Sequence, residues 1–163
     1  MTWDVGGGGG IYKIGGGGFT PYGVEISAAL ANAAKPLLES RGGRVVCDSA
    51  IGGLRTFADE FFTAASLRSY LEHESRPRTV LEELHRVLKP DAAVLVKVPN
   101  FASLNRKIFG RRWCGFRCPD HLNYFTPESL AKMLGSGYAM QKMWAAPFND
   151  NLWALFRKRT NAD

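Results

Sequence analysis

The chain has 163 residues, of which 45% are hydrophobic and 22% are charged, and this ordinary globular composition favours a single domain over residues 1–163. No apolar run approaches the roughly 20 residues that a membrane-spanning helix needs, and the N-terminus lacks the pattern of a secretory signal, so we expect a cytoplasmic protein without membrane contact. The net charge of +6 admits an anionic ligand or nucleic acid as a partner, but no nucleic-acid-reading motif accompanies it, so nucleic acid is not favoured.

Glycine is concentrated near the N-terminus, where residues 6–10 and 15–18 are all glycine. The alternating pattern Asp4-x-Gly6-x-Gly8-x-Gly10 fits a turn between a strand and a helix, at which a backbone without Cβ atoms can approach a ligand. Because every residue from 6 to 10 is glycine, the pattern is met trivially, and a flexible linker is the alternative.

From Tyr22 onward, strand patterns alternate with helix patterns. Strands are predicted over residues 22–25, 44–47, 92–98, 139–145 and 151–157, and more weakly over 60–67. The β-branched segment 44–47 is expected to be buried. Helices are predicted after the caps Ser27 and Thr126 and over residues 79–89, where apolar side chains recur at helical spacing. This alternation indicates a mostly parallel sheet with helices on both faces and with ligands beyond the carboxyl ends of its strands.

Glu25 ends the strand predicted over residues 22–25, which follows the glycine turn in the sequence. An acid at this point can accept hydrogen bonds from both hydroxyls of an adenosine ribose. The alternative is an acid that only favours the start of the next helix through the helix dipole.

Several further blocks carry a family resemblance. They are Gly23-Val24-Glu25-Ile26-Ser27, Leu71-Glu72-His73, Leu81-Glu82-Glu83-Leu84-His85-Arg86-Val87-Leu88-Lys89-Pro90 and Val98-Pro99-Asn100. Their order resembles class I S-adenosylmethionine-dependent methyltransferases, and the later block Pro119-Asp120-His121-Leu122-Asn123-Tyr124-Phe125 resembles a branch of small bacterial members. The resemblance implies an α/β, Rossmann-like doubly wound fold with an antiparallel C-terminal strand. It also implies helices before the first strand that this sequence lacks, so we expect an N-terminally truncated version of the fold.

The resemblance implies a set of residues that bind S-adenosylmethionine. Asp4, Gly6, Gly8 and Gly10 would surround the methionine part, Glu25 the ribose, and Asp48 or Ser49 the adenine. Leu71, in the segment 68–73 after the fourth strand, would lie beside the sulfonium.

Methyl transfer needs mainly the alignment of acceptor and donor, and a general base only where the acceptor atom is protonated. His73, His121 and Tyr124 are the candidate catalytic groups, although each could be structural instead. Residues 101–125 are aromatic, basic and rich in turns, and we predict that they form an insertion, or acceptor lid, over the sheet. The lid side chains Trp113, Phe116, Arg117 and Tyr124 favour a small anionic or planar acceptor.

Cysteine chemistry gives little further indication. Cys47, Cys114 and Cys118 are too few for a disulfide framework, so we expect reduced thiols. Cys114, Cys118 and His121 are residue types that bind zinc, but their spacing is poor and a fourth ligand is not evident, so we predict no metal site.

Two other functions remain open from the sequence. A nicotinamide-dinucleotide-binding oxidoreductase also uses a glycine turn and a ribose-binding acid. A non-catalytic interaction module with the same fold is favoured by Gly15–Gly18, which fall where the first helix should continue at a cost of about 1 kcal/mol per glycine.

Overall fold

The computed structural model describes residues 2–6 and 18–160. Its centre is a seven-stranded sheet with the strand order β3-β2-β1-β4-β5-β7-β6. The strands are β1 Thr2–Gly6, β2 Pro21–Glu25, β3 Arg44–Cys47, β4 Phe62–Arg68, β5 Leu88–Pro99, β6 Tyr138–Trp144 and β7 Asn151–Lys158. Strands β1 to β5 pair in parallel, and β7 runs antiparallel to both β5 and β6. The predicted α/β fold with a mostly parallel sheet and an antiparallel C-terminal strand is confirmed.

Four of the five helices in the described part of the chain begin after a serine or threonine cap, and the third begins with Pro77 instead. The helices are α1 Ala28–Glu39, α2 Ala50–Arg55, α3 Pro77–Val87, α4 Leu104–Phe109 and α5 Pro127–Leu134. The Ser27 hydroxyl accepts a hydrogen bond from Leu30 N at the start of α1. At the start of α5, Thr126 and Ser129 cap each other's backbone N–H. These side chains satisfy N–H groups that the first helical turn leaves without a partner.

Helices cover both faces of the sheet. On one face, Ala34 and Leu38 of α1 pack against Val45 of β3. On the other face, α2, α3 and α5 contribute buried side chains to one large cluster with the sheet, for example Leu54, Leu84 and Leu130. This double covering is the doubly wound arrangement, and it leaves the strand ends free to carry a site.

Two local predictions differ from the structure. The segment 44–47 is a strand, but its predicted burial is wrong: Arg44 and Cys47 are exposed because β3 is at the edge of the sheet. The helix predicted over 79–89 lies two residues earlier and ends at Val87. Leu88 already pairs with Phe62 of β4. Strand pairing therefore ends the helix before Leu88, although the helical spacing of apolar residues continues to that position.

The segment 101–125 contains local structure, namely α4 and a short 3-10 helix over Gly110–Arg112. It leaves the sheet after β5 and returns at Phe125, which forms a bridge with Asn100. Across residues 2–6 and 18–160, no helix has both the length and the apolar character that crossing a membrane requires.

Candidate functional site

The carboxyl ends of four strands lie side by side at one edge of the sheet. Val5 of β1 pairs with Val24 of β2 and with Leu67 of β4, and Glu25 pairs with Cys47 of β3. The backbone of residues 4–6 therefore lies directly beside the end of β2 that carries Glu25. We call this region the carboxyl edge. Gly8 and Gly10, which were also predicted to hold the cofactor, lie outside the described residues.

Glu25 is held at the carboxyl edge in a defined orientation. Its side chain is only 7% exposed, and its Oε1 accepts a hydrogen bond of 2.9 Å from Ser27 N. That bond directs one oxygen towards the start of α1, and within residues 2–6 and 18–160 no hydrogen bond to Oε2 is found. A carboxylate positioned in this way can accept hydrogen bonds from a vicinal diol.

Asp48 and Ser49 follow β3 at the same edge. Asp48 Oδ1 accepts from Ser49 N at 2.6 Å, and the Ser49 hydroxyl accepts from Gly52 N as the cap of α2. A Cβ at residue 52 would collide with the Asp48 carboxylate in its present position, so Gly52 leaves room for that carboxylate beside the start of α2. Both predicted adenine-binding residues are exposed, so they are accessible to a ligand at this edge.

Leu71 is placed differently from the other predicted cofactor residues. Its side chain is fully buried in the core, and its carbonyl accepts a hydrogen bond from Asn123 Nδ2 at 2.9 Å. The Leu71 side chain is therefore not exposed to a cofactor. The residue anchors the loop after β4.

The structure brings His121 together with Glu72 and His73, two adjacent residues that lie almost 50 positions earlier in the sequence. One donor atom from each residue lies within 4.8 Å of the others. The two imidazole rings meet edge to face, with 4.7 Å between their centroids. We call these three residues the Glu-His-His cluster. Sequence reasoning predicted both histidines as candidate groups but missed Glu72 as their partner, although it is adjacent to His73.

Hydrogen bonds hold the two loops of the cluster together. Leu122 N and Asn123 N both donate to the carbonyl of Glu72, at 2.7 and 3.0 Å. Asn123 Nδ2 also donates to the carbonyl of Glu74 at 2.6 Å. The chain around His121 is thus fixed on the loop after β4, which determines the spacing within the cluster.

Each imidazole uses Nδ1 for a backbone contact. His73 Nδ1 lies 2.9 Å from the carbonyl of Asp120, and His121 Nδ1 lies 2.8 Å from the carbonyl of Gly115. A carbonyl only accepts, so Nδ1 is the donor in both rings and Nε2 carries the lone pair.

Burial changes the protonation of two cluster residues. The Glu72 side chain is 2% exposed, and burial raises the pKa of its carboxyl above the usual range. Burial also lowers the pKa of the His121 imidazole, and the neighbouring His73 ring acts in the same direction. In both residues the uncharged form is favoured, because a buried charge loses its hydration.

Aromatic side chains of the segment 101–125 pack into one group beside the cluster. Phe101, Trp113, Phe116 and Tyr124 form successive ring contacts, with centroids 5.3 to 6.2 Å apart. Tyr124 is also 6.4 Å from the His121 ring. Trp113 is only 2% exposed, so it is a packing residue of this group, whereas Phe116 is 38% exposed.

Asp150, in the connection between β6 and β7, is a functional-site residue that the sequence did not indicate. Its Oδ1 accepts from Trp113 Nε1 at 2.6 Å and from the Ser103 hydroxyl at 3.0 Å, and its Oδ2 accepts from Asn105 Nδ2 at 3.1 Å. No motif surrounds Asp150 in the sequence, because all three donors come from a distant segment.

The cysteines are not part of the cluster. Cys47, Cys114 and Cys118 are exposed free thiols, and His121 associates with Glu72 and His73 instead. Cys114 Sγ contacts Asp150 at 3.6 Å, and the pKa of this thiol is raised by burial and by the Asp150 charge.

Comparison with known proteins gives a consistent family and fold. The model of a methyltransferase domain family matches residues 3–138. Among curated proteins none matches. A crystal structure of an S-adenosylmethionine-dependent methyltransferase from Methanosarcina mazei is similar, with a TM-score of 0.73 and 18% identity over 97% of this chain and 92% of that one.

Two other solved structures share the fold at similar identity. A methyltransferase from Archaeoglobus fulgidus has a TM-score of 0.68 and 16% identity over 96% of this chain and 85% of that one. A 1,6-didemethyltoxoflavin-N1-methyltransferase from Burkholderia thailandensis, solved with bound 1,6-didemethyltoxoflavin and S-adenosylhomocysteine, has a TM-score of 0.69 and 19% identity over 98% of this chain and 71% of that one.

Proposed function

The chain belongs to the methyltransferase-domain family, and on that premise we propose that it transfers the methyl group of S-adenosylmethionine to a small-molecule acceptor. The observation that carries the proposal is the buried Glu25 carboxylate at the end of β2, directly beside the end of β1. Two alternatives are less well supported. The family model that matches is that of a methyltransferase domain and not of an oxidoreductase. A non-catalytic interaction module would not need an acid that is oriented to bind a ribose.

The residues at the carboxyl edge fit the proposed cofactor. Glu25 Oε2 would accept from the ribose hydroxyls, while Asp48 and Ser49 would lie on the adenine side of the same edge. Asp4 and Gly6 are in the strand that pairs with β2, so we assign them, together with Gly8 and Gly10, to the methionine part. When bound, the sulfonium supplies an activated methyl group, so the protein has mainly to align an acceptor and exclude water.

The segment 101–125 is proposed as the acceptor lid. It is tied to the loop after β4 by Leu122 and Asn123, and to the connection after β6 by Asp150, so it stays over the carboxyl edge. Phe116 and Tyr124 present aromatic surface that a planar acceptor could contact. The basic residues of the lid, among them Arg117, favour an anionic acceptor.

His121, His73 and Tyr124 are the groups proposed to act on the acceptor. The two imidazoles offer Nε2 as an acceptor of a proton, because Nδ1 is engaged with a carbonyl in each ring. A lowered pKa keeps His121 neutral near pH 7, the form in which it can accept a proton.

The experiment that tests cofactor binding is calorimetric titration with S-adenosylhomocysteine. Glu25→Gln should weaken binding by about 10- to 100-fold, because a charge-assisted hydrogen-bond acceptor is replaced by a neutral amide. Glu39→Gln is the matched control, since Glu39 is an exposed acid at the end of α1. An absence of heat with the folded wild-type protein at millimolar ligand contradicts the proposal.

The alternatives are separated by ligand-dependent thermal shifts. S-adenosylhomocysteine should raise Tm and nicotinamide dinucleotides should not, because a ligand stabilises only a fold that binds it. The reverse pattern would support the oxidoreductase. Binding without methyl transfer to any member of a panel of anionic and planar acceptors would support the interaction module.

A further inference from the structure

We propose that the Glu-His-His cluster is a binding site for a divalent first-row transition metal ion, with Zn²⁺ as its representative. The site lies where the lid meets the loop after β4, and its ligands would be a carboxylate oxygen of Glu72 and Nε2 of His73 and His121. This inference departs from the sequence-based prediction that the chain has no metal site.

The donor set suits such an ion. Two imidazoles and one carboxylate are a common set of three protein ligands for zinc, and imidazole is equally suited to the neighbouring first-row ions. One ring nitrogen of each histidine and one carboxylate oxygen of Glu72 lie within 4.8 Å of one another, whereas the ligands of a tetrahedral zinc ion at about 2.1 Å are roughly 3.4 Å apart. His73 is exposed, so a rotation of its side chain can make the remaining approach.

Glu72 provides a second, independent observation. The residue is only 2% exposed, and its buried Oε2 has no hydrogen-bond partner among the described residues. A buried carboxylate oxygen without a partner is costly, and a cation beside it removes that cost. The backbone N–H groups of Leu122 and Asn123 both bind the Glu72 carbonyl, so neither of them satisfies Oε2.

The surroundings of the two imidazoles have the form that metal sites require. A metal-ligating histidine usually donates its other ring N–H to a carbonyl or carboxylate, which fixes the tautomer and the ring orientation. His73 and His121 each make this contact, through Asp120 and Gly115 respectively. The Trp113 ring packs directly against Gly115, where a Cβ would collide with it. This packing holds the Gly115 carbonyl in position to contact His121.

Three protein ligands leave at least one coordination position open, and with the metal bound both Nε2 atoms are ligands, so the metal would replace the imidazoles in acting on the acceptor. This position would take an oxygen atom of the acceptor, such as a hydroxyl or a carboxylate, and a bound hydroxyl would lose its proton more easily. That role rests on the proposed function. Metal binding itself does not, because it can be measured without S-adenosylmethionine.

The test is titration of the metal-free full chain with Zn²⁺ and, in parallel, with Co²⁺. We expect one equivalent to bind and to raise Tm by on the order of 5 °C at saturating metal. The Co²⁺ spectrum should show d–d bands without a sulfur-to-cobalt charge-transfer band, because the site contains nitrogen and oxygen ligands only. Glu72→Gln and His73→Ala should each weaken binding by at least about 10-fold.

Two control variants separate this site from other donors. The double variant Cys114→Ser/Cys118→Ser removes the nearest thiols, and His85→Gln removes the histidine outside the cluster; both should bind metal like the wild type. His73→Ala keeps the test valid if Glu72→Gln folds poorly, since His73 is exposed. Wild-type protein that binds less than one equivalent, or binding that survives both cluster variants, overturns the metal site. The Glu25→Gln titration, made in the presence of a chelator, reports on the cofactor site separately.

Discussion

Asp150 shows how a single side chain can hold a segment, here the proposed lid 101–125, that it does not belong to. It receives hydrogen bonds from Trp113, Ser103 and Asn105, so one carboxylate joins the connection after β6 to the start of α4 and to the residue that follows the 3-10 helix. Burial by itself would raise the pKa of Asp150, but these hydrogen bonds outweigh it and lower the pKa below its usual range. The charged form is therefore the one that the folded protein stabilises.

We predict that Asp150→Asn lowers the free energy of unfolding by about 1–3 kcal/mol at pH 7, because donors are left facing an amide. Since the pKa of Asp150 is lowered in the folded state, its contribution to stability is fully present at a pH above the ordinary pKa of aspartate. The contribution disappears as the pH falls through the pKa of Asp150 in the folded protein. Urea unfolding at pH 7 and at acid pH measures both effects. Glu39→Gln, which removes only an exposed pair with Lys35, should change stability by less than about 1 kcal/mol.

Between elements, Arg86 joins α3 to the segment that follows α2. Its guanidinium donates to the carbonyls of Phe57 and Leu54, at 3.0 and 3.2 Å, and pairs with Glu83 and Asp59. The planar fork of arginine provides several donors in fixed directions, which a lysine ammonium does not.

Arg86→Lys should therefore cost about 1–3 kcal/mol of unfolding free energy, because it leaves carbonyls of a partly buried segment without donors. Arg55→Lys is the matched control: Arg55 bonds the same Glu83 but is mostly exposed, so its loss should be below about 1 kcal/mol. Chemical denaturation of both variants measures the difference. Equal losses would contradict the bridging role of Arg86.

The start of β5 contains an irregularity in its pairing with β4. Leu88 pairs with β4, the ladder then shifts register, and Asp91 adopts a φ of 58° before pairing resumes at Ala93. The left-handed region favours glycine, although aspartate tolerates it better than most residues. Glycine is what the resembling family usually has after Lys-Pro, at the position that Asp91 fills.

Asp91→Gly is expected to stabilise the protein by about 0.5 kcal/mol, and Asp91→Val to destabilise it by about 1–2 kcal/mol. The Asp91 carbonyl that binds Arg157 is backbone, so both variants keep that hydrogen bond. Thermal unfolding should thus move Tm in opposite directions. A shared direction would mean that the side chain of residue 91 matters more than its backbone conformation.

For the whole molecule, we expect the pH dependence of stability to include a contribution from the partly buried His85 imidazole, whose neutral form the fold favours. Burial and the nearby Lys158 ammonium lower the pKa of His85, although contacts with the backbone at Gly137 and Arg159 act in the opposite direction. A lowered folded-state pKa means that the unfolded chain binds more protons below the ordinary histidine value of about 6.5. Stability from this group is therefore present above that pH and is lost as the pH falls.

We predict that the unfolding free energy of the wild type falls more steeply between pH 7.5 and about 5.5 than that of His85→Gln. The raised pKa of Glu72 acts in the opposite direction within this range, but it is common to both proteins and cancels in their difference. Urea unfolding at a series of pH values supplies the comparison. Parallel slopes for the two proteins would contradict the assignment to His85.

Local patterns were sufficient for most of the fold. The caps Ser27 and Thr126, the β-branched strands and the alternation of elements predict a parallel sheet with a site at its carboxyl edge, because these features depend on neighbours within a few residues. Glu25 was predicted for the same reason: it is the last residue of a strand, and the ends of parallel strands share one edge.

The sequence alone determined an α/β methyltransferase fold with an acid at the end of β2, since hydrophobic period, capping and glycine content are properties of short segments. Only the tertiary structure decided that Glu72, His73 and His121 converge, that Asp150 holds the lid, and that β3 is an exposed edge. Those features depend on which distant backbones lie together, and long-range packing, not local propensity, sets that arrangement.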